Sequence, residues 1–138
     1  MAITYVISAE QRRIRGYASG IIRADDLHKF LDQLLEDPRV VEGMRGLYDA
    51  RFAEPDITIL QIAEVARKVS RVVARGIERV AIVAQSANTV RVARTFAIIA
   101  RAMGIDVDVF NELEDAERWL DDPREGGGSG RKVPSPKG

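Results

Sequence analysis

One histidine and no cysteine occur among the 138 residues, which removes thiolate nucleophiles, thiolate metal sites and any disulfide framework at once. His28 lies between Leu27 and Lys29 with no adjacent carboxylate or serine. Base catalysis needs a positioned partner as well as a suitable pKa, so a surface or boundary histidine is the favoured reading. Asp49 and Arg51 stand two apart in Leu47-Tyr-Asp-Ala-Arg-Phe52, and on a strand they point to one side. They suit an ion pair or a loop anchor; alternatively, Arg51 offers its planar fork to a ligand carboxylate or phosphate. Ser86, Asn88 and Thr89 fall in the loop Gln85–Thr89, just ahead of Arg91 and Arg94. They cap the helix that follows or, with its first amides, make an anion site. That loop has no glycine, so it matches neither a dinucleotide fingerprint nor a P-loop. No catalytic residue and no metal set emerges, and no cofactor is expected.

Arg67, Arg71 and Arg75 recur every four residues with Lys68 beside them, and Arg91, Arg94 and Arg101 share a helical stripe with Ile98. An isoleucine inside an arginine stripe is the kind of mixed face that meets lipid headgroups or a partner helix, unless the helix rolls far enough to make Ile98 core. The stripes belong to a wider segregation concealed by a net charge of zero. Residues 57 to 104 carry eight basic and two acidic side chains, net +6; residues 105 to 122 carry one basic and eight acidic, net −7. Either these blocks face each other or water, or the first attracts phosphates or acidic lipid. With zero net charge, 6% aromatics and no recognisable motif, nucleic acid is not an expected partner.

The elements that must position these residues follow from periodicity. Ile3 to Ser8 and Ile14 to Ser19 form a hairpin around Glu10-Gln-Arg12, with Gly20 ending its second strand. Leu27, Phe30, Leu31, Leu34 and Leu35 repeat at helical spacing, with Asp25 and Asp26 in the first turn and Pro38 as the stop. After the turn bracketed by Gly43 and Gly46, Leu47 to Phe52 is the third strand. A second helix opens with a capping box, Thr58 with Gln61, and a staple, Ile57 with Ile62. It buries Ile62, Val65, Ala66, Val69, Val72 and Val73. Val80 to Ala84 is apolar throughout, as a strand covered on both faces should be. The third helix packs through Val92, Phe96, Ile99 and Met103 and ends at Gly104. Asp106 to Phe110 alternates like an edge strand with one wet, acidic face. A last helix, framed by Asn111 and Glu114, buries Leu113, Ala116, Trp119 and Leu120. Residues 1–122 make one α/β domain in the order ββαβαβαβα on a five-stranded mixed sheet. Residues 123–138, with Gly126-Gly-Gly-Ser-Gly130, are a flexible tail, native or appended. The start lacks a signal-peptide pattern and no run reaches a membrane span, so a cytoplasmic protein is expected, peripheral at the inner membrane face if it meets lipid.

This order, with Gly20 before the first helix, Leu47-Tyr48-Asp49-Ala50-Arg51 in the third strand and Ala116-Glu117-Arg118-Trp119-Leu120 near the end, resembles the SpoIIAA-like family over roughly residues 3 to 122. That family sits structurally between STAS domains and CRAL-TRIO-type lipid-binding domains. The resemblance implies a small cytoplasmic bacterial domain without known catalysis, binding an apolar or amphipathic ligand or associating with membrane between its sheet and mobile helices. STAS regulators that antagonise anti-sigma factors are similar in topology but carry a phosphorylatable serine after the third strand. Here that stretch reads Ala50-Arg51-Phe52. Thr58 is the nearest hydroxyl at the helix start, so it is the candidate phosphosite, although capping already accounts for it.

Three functions survive. The first is a lipid-like ligand or membrane module with an apolar slot beneath helices two and three, rimmed by Arg51, Arg91 and Arg94. The second is a STAS-like regulator that binds a protein partner, or a second copy as a homodimer, through the same helix faces. The third is an enzyme at the carboxyl edge of the sheet, which the thin stock of nucleophiles and bases disfavours.

Overall fold

A computed structural model describes residues 2–123. Its elements run β1 (Ile3–Ser8), β2 (Arg13–Arg23), α1 (Ala24–Glu36), β3 (Arg45–Asp56), α2 (Ile59–Val73), β4 (Val80–Val83), α3 (Ala87–Ala102), β5 (Val107–Phe110) and α4 (Leu113–Asp121). The five strands lie side by side in chain order. β1 pairs antiparallel with β2, and the remaining pairs are parallel. The expected five-stranded mixed sheet and element order are therefore present. The Gly/Ser/Pro-rich stretch expected to form a tail lies, but for Pro123, outside the described residues.

Sequential strand order decides where the helices go. Each crossover steps the same way across the sheet, and right-handed crossovers then place α1, α2 and α3 on one face. Only α4, after the last strand, packs on the other, where Leu47, Ala81, Val83, Ala116 and Leu120 form its core. β4 is thus covered on both sides. At the β1–β2 end no helix covers the α4-side face, and Val6, Tyr17, Ile21 and Phe52 are exposed there.

Three elements depart from the pattern read along the chain. β2 does not stop at Gly20; the glycine takes φ 74° and the strand continues to Arg23, paired through Asp56 of β3. A register shift between Tyr17 and Ser19 marks a bulge, which lets both long strands extend past the glycine. Gly46 lies inside β3 rather than in a turn. The seam of α3 is Ala93, Ala97 and Ala100; Val92 and Phe96 face a cavity, while Met103 is exposed. Ile98 is 67% exposed, so the helix does not roll to bury it.

The β5 edge of the sheet is closed by side chains. On β5, Arg101 Nε donates to the Val107 carbonyl at 3.0 Å and the Asp108 carboxylate accepts the Val109 amide at 2.9 Å. Side chains thereby occupy the strand's outward backbone groups, a guard against edge pairing. Asp106 does not solvate this edge as expected: its side chain is 6% exposed and lies 3.4 Å from Arg79.

Candidate functional site

Under α1, α2 and α3 the sheet is not filled. A cavity of about 160 Å³ runs along β3 from Gly46 to Pro55 and Ile57. Its floor is set by small residues, Gly46, Ala50 and Ala53. The roof and walls are Leu27, Phe30 and Leu31 from α1, Ile62, Val65, Val69, Val72 and Val73 from α2, and Val92, Ala93 and Phe96 from α3. A Cβ added at Gly46 would meet nothing within 4 Å, whereas one at Gly16 would come within 2.9 Å of Phe30 Cζ. One glycine is needed for close packing; the other leaves space. The size matches an apolar cavity that stays dry and accepts a single ring, about 150 Å³.

Two residues of this lining carry hydroxyls, Tyr48 and Thr89. Thr89 is committed: its Oγ1 donates to the Ala53 carbonyl at 3.0 Å and lies 2.8 Å from Ser86 Oγ. Tyr48 projects from the middle of β3, its ring 6.1 Å from that of Phe30. Burial, with Asp26 adding a smaller repulsion, pushes its phenol well above the usual range. Periodicity counts Tyr48 as one more strand residue; a phenol alternating with Gly46 and Ala50 on one strand face was the available signal.

In the loop read either as a helix cap or as an anion site, the side chains cap and tie. Ser86 accepts the Thr89 amide as N-cap, Asn88 Nδ2 donates to the Pro55 carbonyl at 3.3 Å and its Oδ1 accepts from Arg91. Thr89 alone of these lines the cavity. At the start of α2, Thr58 and Gln61 form the expected capping box, with the threonine hydroxyl exposed.

Arg51 does not rim the slot. Asp49 shares the α4-side face with Leu47 by strand alternation, and Arg51 grips it with Nε at 2.9 Å and Nη2 at 2.8 Å. Burial raises the Asp49 carboxyl, but the hydrogen bonds from Arg51 outweigh it and hold the carboxyl below its ordinary value. Arg51 also lies 5.4 Å from the Phe52 ring. The ion-pair reading accounts for both residues.

The cationic stripe divides. Arg75 is not on an outer face: its guanidinium donates to the carbonyls of Leu34, Leu35, Asp37 and Val40 at 2.7–3.2 Å, answering the orphan acceptors at the end of α1. Lys68 pairs with Asp32 at 2.8 Å, and Arg101 with Asp108 at 3.0 Å. Arg67, Arg71 and Arg94 are exposed and make no ion pair among the described residues. They share the outer surface of α2 and α3 with Leu60, 78% exposed, and Ile98.

The acidic end of the chain meets strand arginines, not those helix arginines. Glu117 binds Arg13 and Arg15, Asp121 binds Arg13 at 2.6 Å, and Arg45 donates to the Leu120 and Asp122 carbonyls. Arg79 donates to the Trp119 carbonyl at 2.8 Å with its guanidinium 4.7 Å from the Trp119 ring centre. Of the +6 block, Arg79 and Arg101 reach acids of the −7 block. Among the described residues no cluster of His, Cys, Asp or Glu could hold a metal, and no helix is long and apolar enough to cross a membrane. His28 is half-buried, and its Nδ1 finds no hydrogen-bond partner among the described residues.

No curated protein matches the chain. Among solved structures it is similar to an uncharacterised protein of the DUF3478 family, with a SpoIIAA-like fold, from Shewanella loihica PV-4. The two share 18% identity and a TM-score of 0.58 over 86% of this chain and 94% of that one, a likeness of fold. The SpoIIAA-like family model matches residues 13–121, from the arginine strand that holds α4 to the end of α4 itself, and the chain belongs to the SpoIIAA-like family.

Proposed function

We propose that this domain is a non-catalytic binding module whose ligand is a small apolar or amphipathic molecule held between the sheet and helices α1, α2 and α3. The cavity carries this reading: a slot of about 160 Å³ whose lining is apolar except for two hydroxyls. A natural core closes such voids because each one forfeits contact energy, so an unfilled slot is best explained by an occupant. The volume suits one ring or a short alkyl chain. A longer acyl chain would need α2 and α3 to part from the sheet.

The test is thermal unfolding with and without saturating benzene, in the native sequence and in Gly46→Val. Benzene should raise Tm in the first, since a ligand that binds only the folded state stabilises it, and should leave Tm unchanged in the second, whose valine fills the slot. No rise in the native sequence would end the proposal. A second reading rests on the outer surface of α2 and α3, where unpaired Arg67, Arg71 and Arg94 flank Leu60 and Ile98. Such a face suits an anionic membrane surface. Co-sedimentation with phosphatidylserine vesicles, set against neutral phosphatidylcholine vesicles, tests it; equal pelleting would reject it.

A further inference from the structure

The slot contains one polar group that the protein leaves unused. Tyr48 lies on the central strand beneath a helical layer, yet stays half-buried rather than sealed, and it lines the cavity. Its hydroxyl makes no hydrogen bond among the described residues and is not one of the fully enclosed orphan atoms. Part of the surface that Tyr48 keeps is slot wall. The other tyrosine of this face, Tyr5, donates to Asp37 Oδ2 at 2.8 Å, and the other hydroxyl of the lining, on Thr89, is already committed. A phenol in an apolar wall without a partner opposes folding, and phenylalanine would fit that wall without the penalty. Water is a poor partner there, because a held water needs two to four polar contacts and this wall supplies little beyond one oxygen.

We infer that the Tyr48 hydroxyl is the recognition group of the slot, and that its ligand is an uncharged apolar molecule bearing one hydrogen-bonding oxygen: a monocyclic or short-chain alcohol, phenol or ketone. This rests on the slot reading above. The sign of the ligand follows from the surroundings. No lysine or arginine lines the cavity, and the nearest charge to act on Tyr48 is the Asp26 carboxylate, which disfavours a second anion. Carboxylate ligands, free fatty acids among them, are selected against. The phenol stays neutral through the physiological range, so it donates to a carbonyl or ether oxygen and either donates to or accepts from a hydroxyl.

The experiment is a two-by-two titration by NMR: benzene and phenol against the native sequence and Tyr48→Phe. A neutral hydrogen bond in such a site predicts that phenol's affinity relative to benzene falls by about fivefold in the variant, while benzene affinity holds or rises. An unchanged ratio, with benzene bound by both proteins, overturns the role of Tyr48 and leaves the slot standing. Benzene bound by neither protein removes the slot and this inference together. Should Tyr48→Phe misfold, the native protein alone decides. The Tyr48 ring resonances shift further with cyclohexanone than with cyclohexane if the hydroxyl reads an oxygen, and respond alike to both if it does not.

Discussion

The sheet's two faces are closed by different physics. On one, α4 is held by buried cations: Arg13 and Arg79 are 4% and 1% exposed, and both hold groups of α4. On the other, α1, α2 and α3 cover the strands with apolar side chains, leave a slot, and point Arg67, Arg71 and Arg94 at solvent. A buried guanidinium resists losing its partners because that strands a charge in a poor solvent. Apolar contacts carry no such penalty for a small displacement. The α4 face is thus built to stay shut and the α1–α3 face to accommodate a guest.

The largest effect should come from breaking the cationic clamp. Arg79→Met removes the donor to the Trp119 carbonyl and the charge facing Asp106, which is then buried without its partner. Losing one member of a buried pair costs about 3–5 kcal/mol, and urea unfolding should show a loss of that size. A loss below about 1 kcal/mol would mean that α4 is held mainly by its apolar stripe.

Asp49 and Arg51 test the same face by pH. Asp49→Asn should cost about 1–3 kcal/mol at neutral pH, the range for removing a partner from a buried charged hydrogen bond. The folded carboxyl is held below its ordinary value. Its contribution is therefore complete above the unfolded value of about 3.9 and is lost as pH falls through the lower folded one. The gap between the native sequence and the variant should shrink in acid melts below about pH 4. A gap constant from pH 7 to pH 2.5 would contradict the pair.

The opposite sign is expected beneath α1–α3. Gly46→Val puts methyl groups where a Cβ meets nothing within 4 Å. At about 0.8 kcal/mol per buried carbon, less the cost of fitting a branched side chain, the gain should be on the order of 1 kcal/mol. A comparable loss in the same denaturant assay would mean that the slot closes in solution.

How far these faces could be read along the chain depended on the kind of information each required. Helix starts are local: the Thr58–Gln61 box forms where the residue types placed it, and of the capping candidates Ser86, Asn88 and Thr89 the first is the N-cap. The order of elements along the chain followed from periodicity. The continuation of β2 past Gly20 did not, because a glycine at positive φ ends a strand unless a neighbour keeps pairing, and that neighbour is residues 52–56 of β3. The α3 seam was legible only in part: Phe96 packs as expected, but Ala93, Ala97 and Ala100 give a weak periodic signal beside Ile99 and Met103. Arg75 shares the spacing of Arg67 and Arg71, but the carbonyls that claim it come from the end of α1, some forty positions earlier. The slot is less local still: it is the sum of small residues on β3 and large ones on three helices, fixed only when the register is known.

The smallest effect on stability belongs to the outer arginines, and there the contrast between the faces becomes functional. Exposed charges without partners contribute within about 0.5 kcal/mol, so the triple variant Arg67→Glu, Arg71→Glu, Arg94→Glu should unfold almost where the native sequence does. Its surface would nevertheless turn from cationic to anionic around Leu60 and Ile98. Each cation near an anionic bilayer is worth about 1 kcal/mol of attraction, so reversing three should abolish pelleting with phosphatidylserine vesicles at physiological salt. Benzene should still raise Tm as before, because none of the three lines the slot. If pelleting survives the reversal, the membrane reading of this surface is wrong and the slot must be reached from solution. If the benzene response is lost while folding is intact, the outer surface and the slot are mechanically coupled, and α2 and α3 act as one movable cover.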